Sequence, residues 1–321
     1  MKISRRELIL MVIGWVVVLV ITLSVLELRG RQGRPQRPVF PDLSEYILDT
    51  TNALPIEMIR INSGSFIMGS ADTTIYGAQP PHSVTISAFY MAKYPVTQEQ
   101  YLAVMGTNPS WFTPASGYMP APGEAHGRRP VESVNWYDAI VFSNRLSILK
   151  GLTPVYSING STNPDDWGPA PSWSDETWNN VIKNLNANGY RLPTEAEWEF
   201  ASRTGTTTAY YTGDTISIDD AWWSANSGGR TNEVGLKPAN AWGLYDMHGN
   251  VWEWVWDRHG AYTAAPKTDP VGAAEGDHRV LRGGSWYSSA ENLRSAVRVS
   301  IDPWLRNVSL GFRVARSEQN Q

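Results

Sequence analysis

The sequence predicts an α+β domain rich in irregular loops, preceded by one apolar segment. Three observations carry this expectation. Capping pairs mark helix starts at only three places, the strand-like segments are short, and 27 glycines and 21 prolines among 321 residues interrupt the chain too often for long regular elements. A hydrophobic content of 42% with 18% charged residues supplies enough core for a globular chain and excludes a disordered or fibrous one. Fifteen tryptophans and no cysteine complete the frame. Without a thiol there are no disulfides, thiolate metal sites, iron–sulfur clusters or cysteine nucleophiles. A net charge of −4 argues against nucleic acid as a partner, since phosphate-backbone binders carry clustered basic surface.

Residues 1–28 hold the apolar segment. From Leu8 to Leu26 the chain runs nineteen residues without a charge, which as a helix reaches ~28 Å, about one hydrocarbon thickness. The run is longer than the apolar core of a cleaved signal peptide, no small-x-small cleavage site follows it, and a lipoprotein signal needs a cysteine. A single-pass membrane anchor is therefore expected. Lys2, Arg5 and Arg6 precede the span while Arg29, Arg31, Arg34 and Arg37 follow it, so flanking charge alone does not fix its orientation. Residues 29–43 read as a Pro/Arg-rich spacer, and residues 44–316 as one domain, because no second linker, charge block or repeat divides them. Residues 317–321 form a polar tail.

Within the domain, Thr97 with Gln100 opens one helix and Asn135 with Asp138 a second. The run Pro193-Thr194-Glu195-Ala196-Glu197 opens a third, which ends near Arg203 and Gly205. Ser83 to Ser87 alternates polar and β-branched residues, and Val280 to Trp286 and Leu310 to Val314 read as strands interrupted by glycine. Breaks at Asn159-Gly160, Asn188-Gly189 and Gly228-Gly229 mark loops. Most of the tryptophans are expected to plug these loops onto the core, because one large ring covers much area at little entropic cost.

Seven segments then follow in order: Ile61 to Ser70 (INSGSFIMGS), Tyr94 to Tyr101 (YPVTQEQY), Pro130 to Trp136 (PVESVNW), Arg191 to Glu199 (RLPTEAEWE), Trp242 to Trp254 (WGLYDMHGNVWEW), Arg282 to Trp286 (RGGSW) and Leu310 to Arg313 (LGFR). Each is a weak signal alone. Together, from Glu57 to Arg316, they resemble the formylglycine-generating enzyme (sulfatase-modifying factor) family, whose fold is a loop-rich variant of the C-type lectin fold. The resemblance implies an exported, extracytoplasmic domain.

The enzymes of that family oxidise a substrate cysteine with copper held by two cysteines. The positions that match those cysteines are Ser288 and Leu293, and neither side chain binds copper(I), which prefers thiolates. No copper is expected. A second branch of the superfamily, the iron-dependent sulfoxide synthases, uses a His-x3-His-x-Glu site on a helical domain; His82, His126, His248, His259 and His278 are too dispersed to provide it. Glu195, Glu197 and Glu199 suggest paired carboxylates, but favourable charge at a helix start accounts for the first two. The resemblance also implies a structural calcium site from the Asp246 side chain, the carbonyls of Gly249 and Val251, and Glu253. Oxygen ligands from a tight turn suit that ion. The competing expectation is that Asp246 and Glu253 satisfy loop amides or an arginine such as Arg282.

In the catalytic relatives the stretch after Gly-Gly-Ser forms the peptide groove. In some relatives, the variable proteins of diversity-generating retroelements, it is a diversified ligand-binding surface. Carried over, the candidate binding residues are Ser285, Tyr287, Ser288, Ser289, Glu291, Asn292, Val297, Val299, Ser300, Ile301, Asp302, Trp304, Leu305 and Asn307. Rigid aromatics beside small polar residues are typical of contact surfaces. The expected function is a membrane-anchored, non-catalytic domain that binds a peptide, protein or glycan; the alternative is an enzyme of the same superfamily with a different metal or none.

Overall fold

Short strands and cap-started helices make up this fold, and each predicted helix start is present. In the computed structural model, which describes residues 55–184 and 186–318, the elements are β1 (Met58–Ile61), β2 (Gly64–Met68), β3 (His82–Ile86), β4 (Phe89–Ala92), α1 (Gln98–Met105), α2 (Trp136–Leu149), β5 (Tyr156–Ser157), α3 (Glu176–Asn179), β6 (Ile182–Lys183), β7 (Tyr190–Arg191), α4 (Glu195–Arg203), β8 (Trp252–Arg258), β9 (Lys267–Thr268), β10 (Arg279–Arg282), β11 (Arg298–Ile301), β12 (Leu310–Phe312) and β13 (Ala315–Ser317). Thr97, Asn135 and Thr194 each accept the amide of the residue three positions on, and Gln100, Asp138 and Glu197 each return a side-chain oxygen to the cap amide. Two orphan amides per helix are satisfied in this way. Thr204, not Gly205, closes α4 in the left-handed region.

Two four-stranded sheets, ordered β1-β4-β13-β7 and β11-β10-β8-β12, are joined by a three-stranded β2-β3-β9 sheet and the β5-β6 ribbon. The strand expected from Val280 to Trp286 stops at Arg282, because Gly283 and Gly284 take φ of 94° and 77°. Such angles suit glycine alone, and a Cβ at Gly284 would lie 2.3 Å from the Leu293 side chain. The described residues belong to one compact unit. Among them no helix is long and apolar enough to cross a membrane; the expected anchor and spacer lie outside the described residues.

The core has two main clusters, one around α2 with Trp136, Trp254 and Phe312, the other around α4 with Trp198, Met91 and Val255. The buried indoles are both filler and cross-links. Trp136 donates to the Val255 carbonyl at 2.9 Å, Trp254 to Val134 at 3.0 Å and Trp198 to Glu253 at 2.8 Å. Burial thus leaves none of these three donors unpaired.

The three glutamates of α4 do more than their position suggests. Glu197 completes the capping box and also takes Arg191 of β7 in two bonds of 2.7 Å. Glu195 is an acidic residue of the first helical turn, as expected, and is in addition held by Arg298 of β11 through two further bonds of 2.7 Å. Glu199 meets Arg203 at 2.9 Å and Arg282 of β10. One helix is therefore tied to three strands by buried, directional charge pairs.

Candidate aromatic binding face

After β10 the chain turns at Gly283-Gly284 and presents Trp286 and Tyr287 at the surface. The turn is rigid. The Ser285 amide donates to Ser288 Oγ at 3.0 Å, the Ser288 amide returns to the Ser285 carbonyl at 3.0 Å, and the Trp286 amide donates to the Asn250 carbonyl at 2.8 Å. Its indole donates to the Val308 carbonyl at 3.0 Å, and Ser227 Oγ donates to the Trp286 carbonyl at 2.8 Å. Four separate segments thus fix one ring.

A second loop completes the surface. Phe112 meets Trp286 edge-on at 5.2 Å between centroids and Tyr118 at 4.9 Å, and Tyr287 stands 5.5 Å from Trp286. In the same loop segment Trp111 is 53% and Met119 63% exposed, and Tyr287 is 75% exposed. The loop is anchored from below. Glu132 accepts the Phe112 amide at 2.8 Å and Ser133 Oγ at 2.7 Å, while buried Arg129 donates to the carbonyls of Tyr118 and Met119 at 3.1 and 3.3 Å. The result is a preorganised patch of aromatic and thioether side chains, a composition that binds with little loss of side-chain entropy.

The sequence-nominated residues divide. Tyr287, Ser289, Glu291, Asn292, Val299 and Asn307 are exposed; Ser300, Ile301, Asp302, Trp304 and Leu305 are half-buried. Ser285, Ser288 and Val297 lie below the surface, the first two in the turn and Val297 against Ile75, Ala78 and Ala296, so none of the three side chains is presented for contact. Trp304 and Ile301 pack on the α2 cluster, which makes them part of the scaffold. Asp302 reaches His278 at 3.4 Å, and Asn307 accepts the Ser309 amide and hydroxyl at 3.0 and 2.9 Å. Only Tyr287 of the nominated set joins the aromatic face. Trp111, Phe112, Tyr118 and Met119 were not nominated; the adjacent Trp-Phe pair after Asn108-Pro109-Ser110 is the sequence signal that marks them.

The positions matching the copper cysteines do not form a metal site. Ser288 Oγ is engaged by the Ser285 amide, and Leu293 is fully buried with Tyr210 and Ala221. The nearby His248 is buried, accepts the Tyr211 amide on Nε2 at 3.2 Å and stacks on the Tyr211 ring at 4.6 Å. Burial drives its pKa down to about 3, so it stays neutral. Among the described residues no group of three or more His, Asp or Glu converges as a metal site.

The calcium expectation meets a divided set of side chains. Glu253 has its charge matched by Arg313 in two bonds of 2.7 Å and also accepts the Trp198 indole, so it does not fit as an ion ligand. Asp246 does fit. Its carboxylate is buried and, among the described residues, accepts only the Gly235 amide at 2.8 Å and the Asn250 side-chain amide at 3.2 Å and forms no ion pair; burial pushes its pKa up to about 6. Asp246, Gly249 and Asn250 all have positive φ, which folds this segment into a tight turn.

Residues 47–318 match the family model described as the sulfatase-modifying factor enzyme 1-like domain. Chaperone protein LppX of Paenibacillus barcinonensis is 36% identical over 272 residues, covering 78% of this chain and 88% of that protein. The formylglycine-generating enzyme of Thermomonospora curvata is 28% identical over 299 residues, covering 80% and 92%. The solved structure of Treponema denticola variable protein 1 superposes with a TM-score of 0.75 at 41% identity, over 81% of this chain and 95% of that one.

Proposed function

Because the chain belongs to the sulfatase-modifying factor family, we propose that it is a non-catalytic member, with the family's C-type-lectin-like fold, that binds a peptide or protein through the face built by Trp111, Trp286 and Tyr287. The observation that carries this reading is the fate of the reaction centre. Serine and a closed leucine occupy the two thiol positions, and the serine directly follows the exposed Tyr287. Relatives named a chaperone protein and a variable protein are in keeping with protein-directed binding. The experiment for the non-catalytic half is a mass measurement. A cysteine-containing peptide incubated with the 321-residue chain, copper, reductant and oxygen keeps its mass; conversion of its cysteine to an aldehyde would sink the reading.

The proposal extends to the surroundings of the domain. The Leu8 to Leu26 span anchors the chain in a membrane with the domain on the extracytoplasmic side, so alkaline carbonate leaves it in the membrane pellet; release into the supernatant would remove the anchor. The exposed C-terminal positions near Tyr287 are the ones a diversifying retroelement varies, and a neighbouring reverse-transcriptase gene with a near-repeat of this coding segment is the expected genomic companion. A clean neighbourhood would end that part of the proposal.

Calcium enters with Asp246 and the carbonyls of Gly249 and Val251 as its seat. At about 1 mM calcium, within the range of weak extracellular sites, the melting temperature rises by about 2–4 °C over a chelator control. Asp246→Asn abolishes the rise. Equal melting temperatures with ion and chelator would exclude the site.

A further inference from the structure

A partly open cavity of about 80 Å³ lies among Met68, His82, the start of α4 at Glu195 and Ala196, and the end of β8 at Asp257. It shares no lining residue with the aromatic face. Three charged groups on its wall are already engaged, Glu195 and Arg298 with each other and Arg258 with neutral oxygens. Glu195 is held by Arg298 and by the Tyr262 hydroxyl at 3.1 Å, and the Arg258 guanidinium is drawn to the Asn179 carbonyl at 2.6 Å.

Two charges are unmatched. Asp257 is 2% exposed; one carboxylate oxygen accepts the Glu195 amide at 2.9 Å and the other accepts no hydrogen bond among the described residues. Lys267, also on the wall, makes no side-chain hydrogen bond or ion pair among them. His82 is fixed beside them: its Nδ1 lies 3.2 Å from the Pro80 carbonyl, which only accepts, so Nδ1 carries a proton.

An unmatched buried carboxylate is costly unless a donor or cation reaches it. Burial, together with the neighbouring Glu195 charge, raises the Asp257 pKa to about 7, with the more distant Lys183 and Arg298 charges offsetting part of the rise. A cavity with an uncommitted carboxylate and an uncommitted ammonium suits a ligand carrying both opposite charges. Its size fits several water molecules, at about 10–15 Å³ each, or one very small organic molecule.

We propose that this cavity binds a small zwitterion, a free α-amino acid of about glycine size, with its ammonium on Asp257 and its carboxylate on Lys267. The test is equilibrium dialysis of labelled glycine against the 321-residue chain, with Asp257→Asn and Lys267→Gln beside it. Asparagine keeps an oxygen for the Glu195 amide, and Lys267 is only half-buried, so melting temperatures near that of the parent verify folding. Saturable glycine binding, weakened at least tenfold by either substitution, is the expected result, with acetate and methylammonium each competing at least tenfold more weakly than glycine. Absence of saturable binding, or unchanged affinity in both variants, or equal competition by either half-ligand would overturn the proposal. Since the aromatic face is not probed, these outcomes leave the proposed peptide binding to be judged separately.

Discussion

Replacing Arg282 by methionine lowers the unfolding free energy by about 3–5 kcal/mol, the range for removing one partner of a buried charge pair. Arg282 is fully buried and joins three parts of the fold. It bonds Glu199 of α4, donates to the Val297 carbonyl ahead of β11, and lies 3.6 Å from Glu195. Methionine approximates its volume but supplies no charge or donor. Glu199 then keeps only Arg203 and the Gly69 amide as partners among the described residues, and the Val297 carbonyl loses the Arg282 donor. The cost falls on the strand that feeds the aromatic turn as well as on α4. Urea unfolding followed by tryptophan fluorescence reads it directly. A loss under about 1 kcal/mol would mean that the network is dispensable, as an exposed pair would be.

The Glu132→Gln variant removes most of one pH dependence, with an effect of about 3 kcal/mol across the transition, from a pKa change of 2–3 units. Glu132 is fully buried, has no cationic partner among the described residues and accepts from Phe112 and Ser133. Burial raises its pKa from the ordinary 4.5 to about 7. The folded state therefore holds its proton more tightly than the unfolded chain does. The resulting stability is fully present below pH 4.5 and is lost as pH rises through 7. Glutamine keeps an oxygen for the Phe112 amide and has no charge to desolvate. Relative to the parent chain, the variant thus gains stability between pH 4.5 and pH 8, where the parent holds a buried charge. Parallel curves of unfolding free energy against pH for the two proteins would contradict this assignment.

The fold was legible where local chemistry decides it. The cap pairs at Thr97, Asn135 and Thr194 stand as helix starts, and the run at Ser83 to Ser87 is β3, shifted by one residue. Legibility fails where a distant partner decides. Spacing on α4 suggests helix-start charges at Glu195 and Glu197, yet Glu195 also pairs with Arg298, 103 residues later in the chain, and Glu199 pairs with Arg282, 83 residues later. Glu253 likewise serves Arg313, which follows β12 and ends the strand expected to continue to Val314. The binding face failed for the same reason. Tyr287 was visible beside Gly-Gly-Ser-Trp, but Trp111 and Met119 arrive from a loop more than 160 residues earlier, placed by Glu132 and Arg129. Trp304 looked like a contact because aromatic composition does not reveal that the side-chain amide of Asn135, the α2 cap, donates to the Trp304 carbonyl at 3.3 Å.

The most direct test of the account is selection of a random peptide display library on the 321-residue chain, followed by affinity measurement of the enriched peptides against Tyr287→Ala combined with Trp111→Ala. Both side chains are largely exposed, so their loss leaves the melting temperature within about 2 °C of the parent. As paired aromatic anchors they carry about 2 kcal/mol or more of binding, and affinity falls at least thirtyfold. Peptides that bind the double variant as tightly as the parent, or selection that enriches only glycans on a parallel array and no peptide, would contradict the assignment of this face to peptide binding.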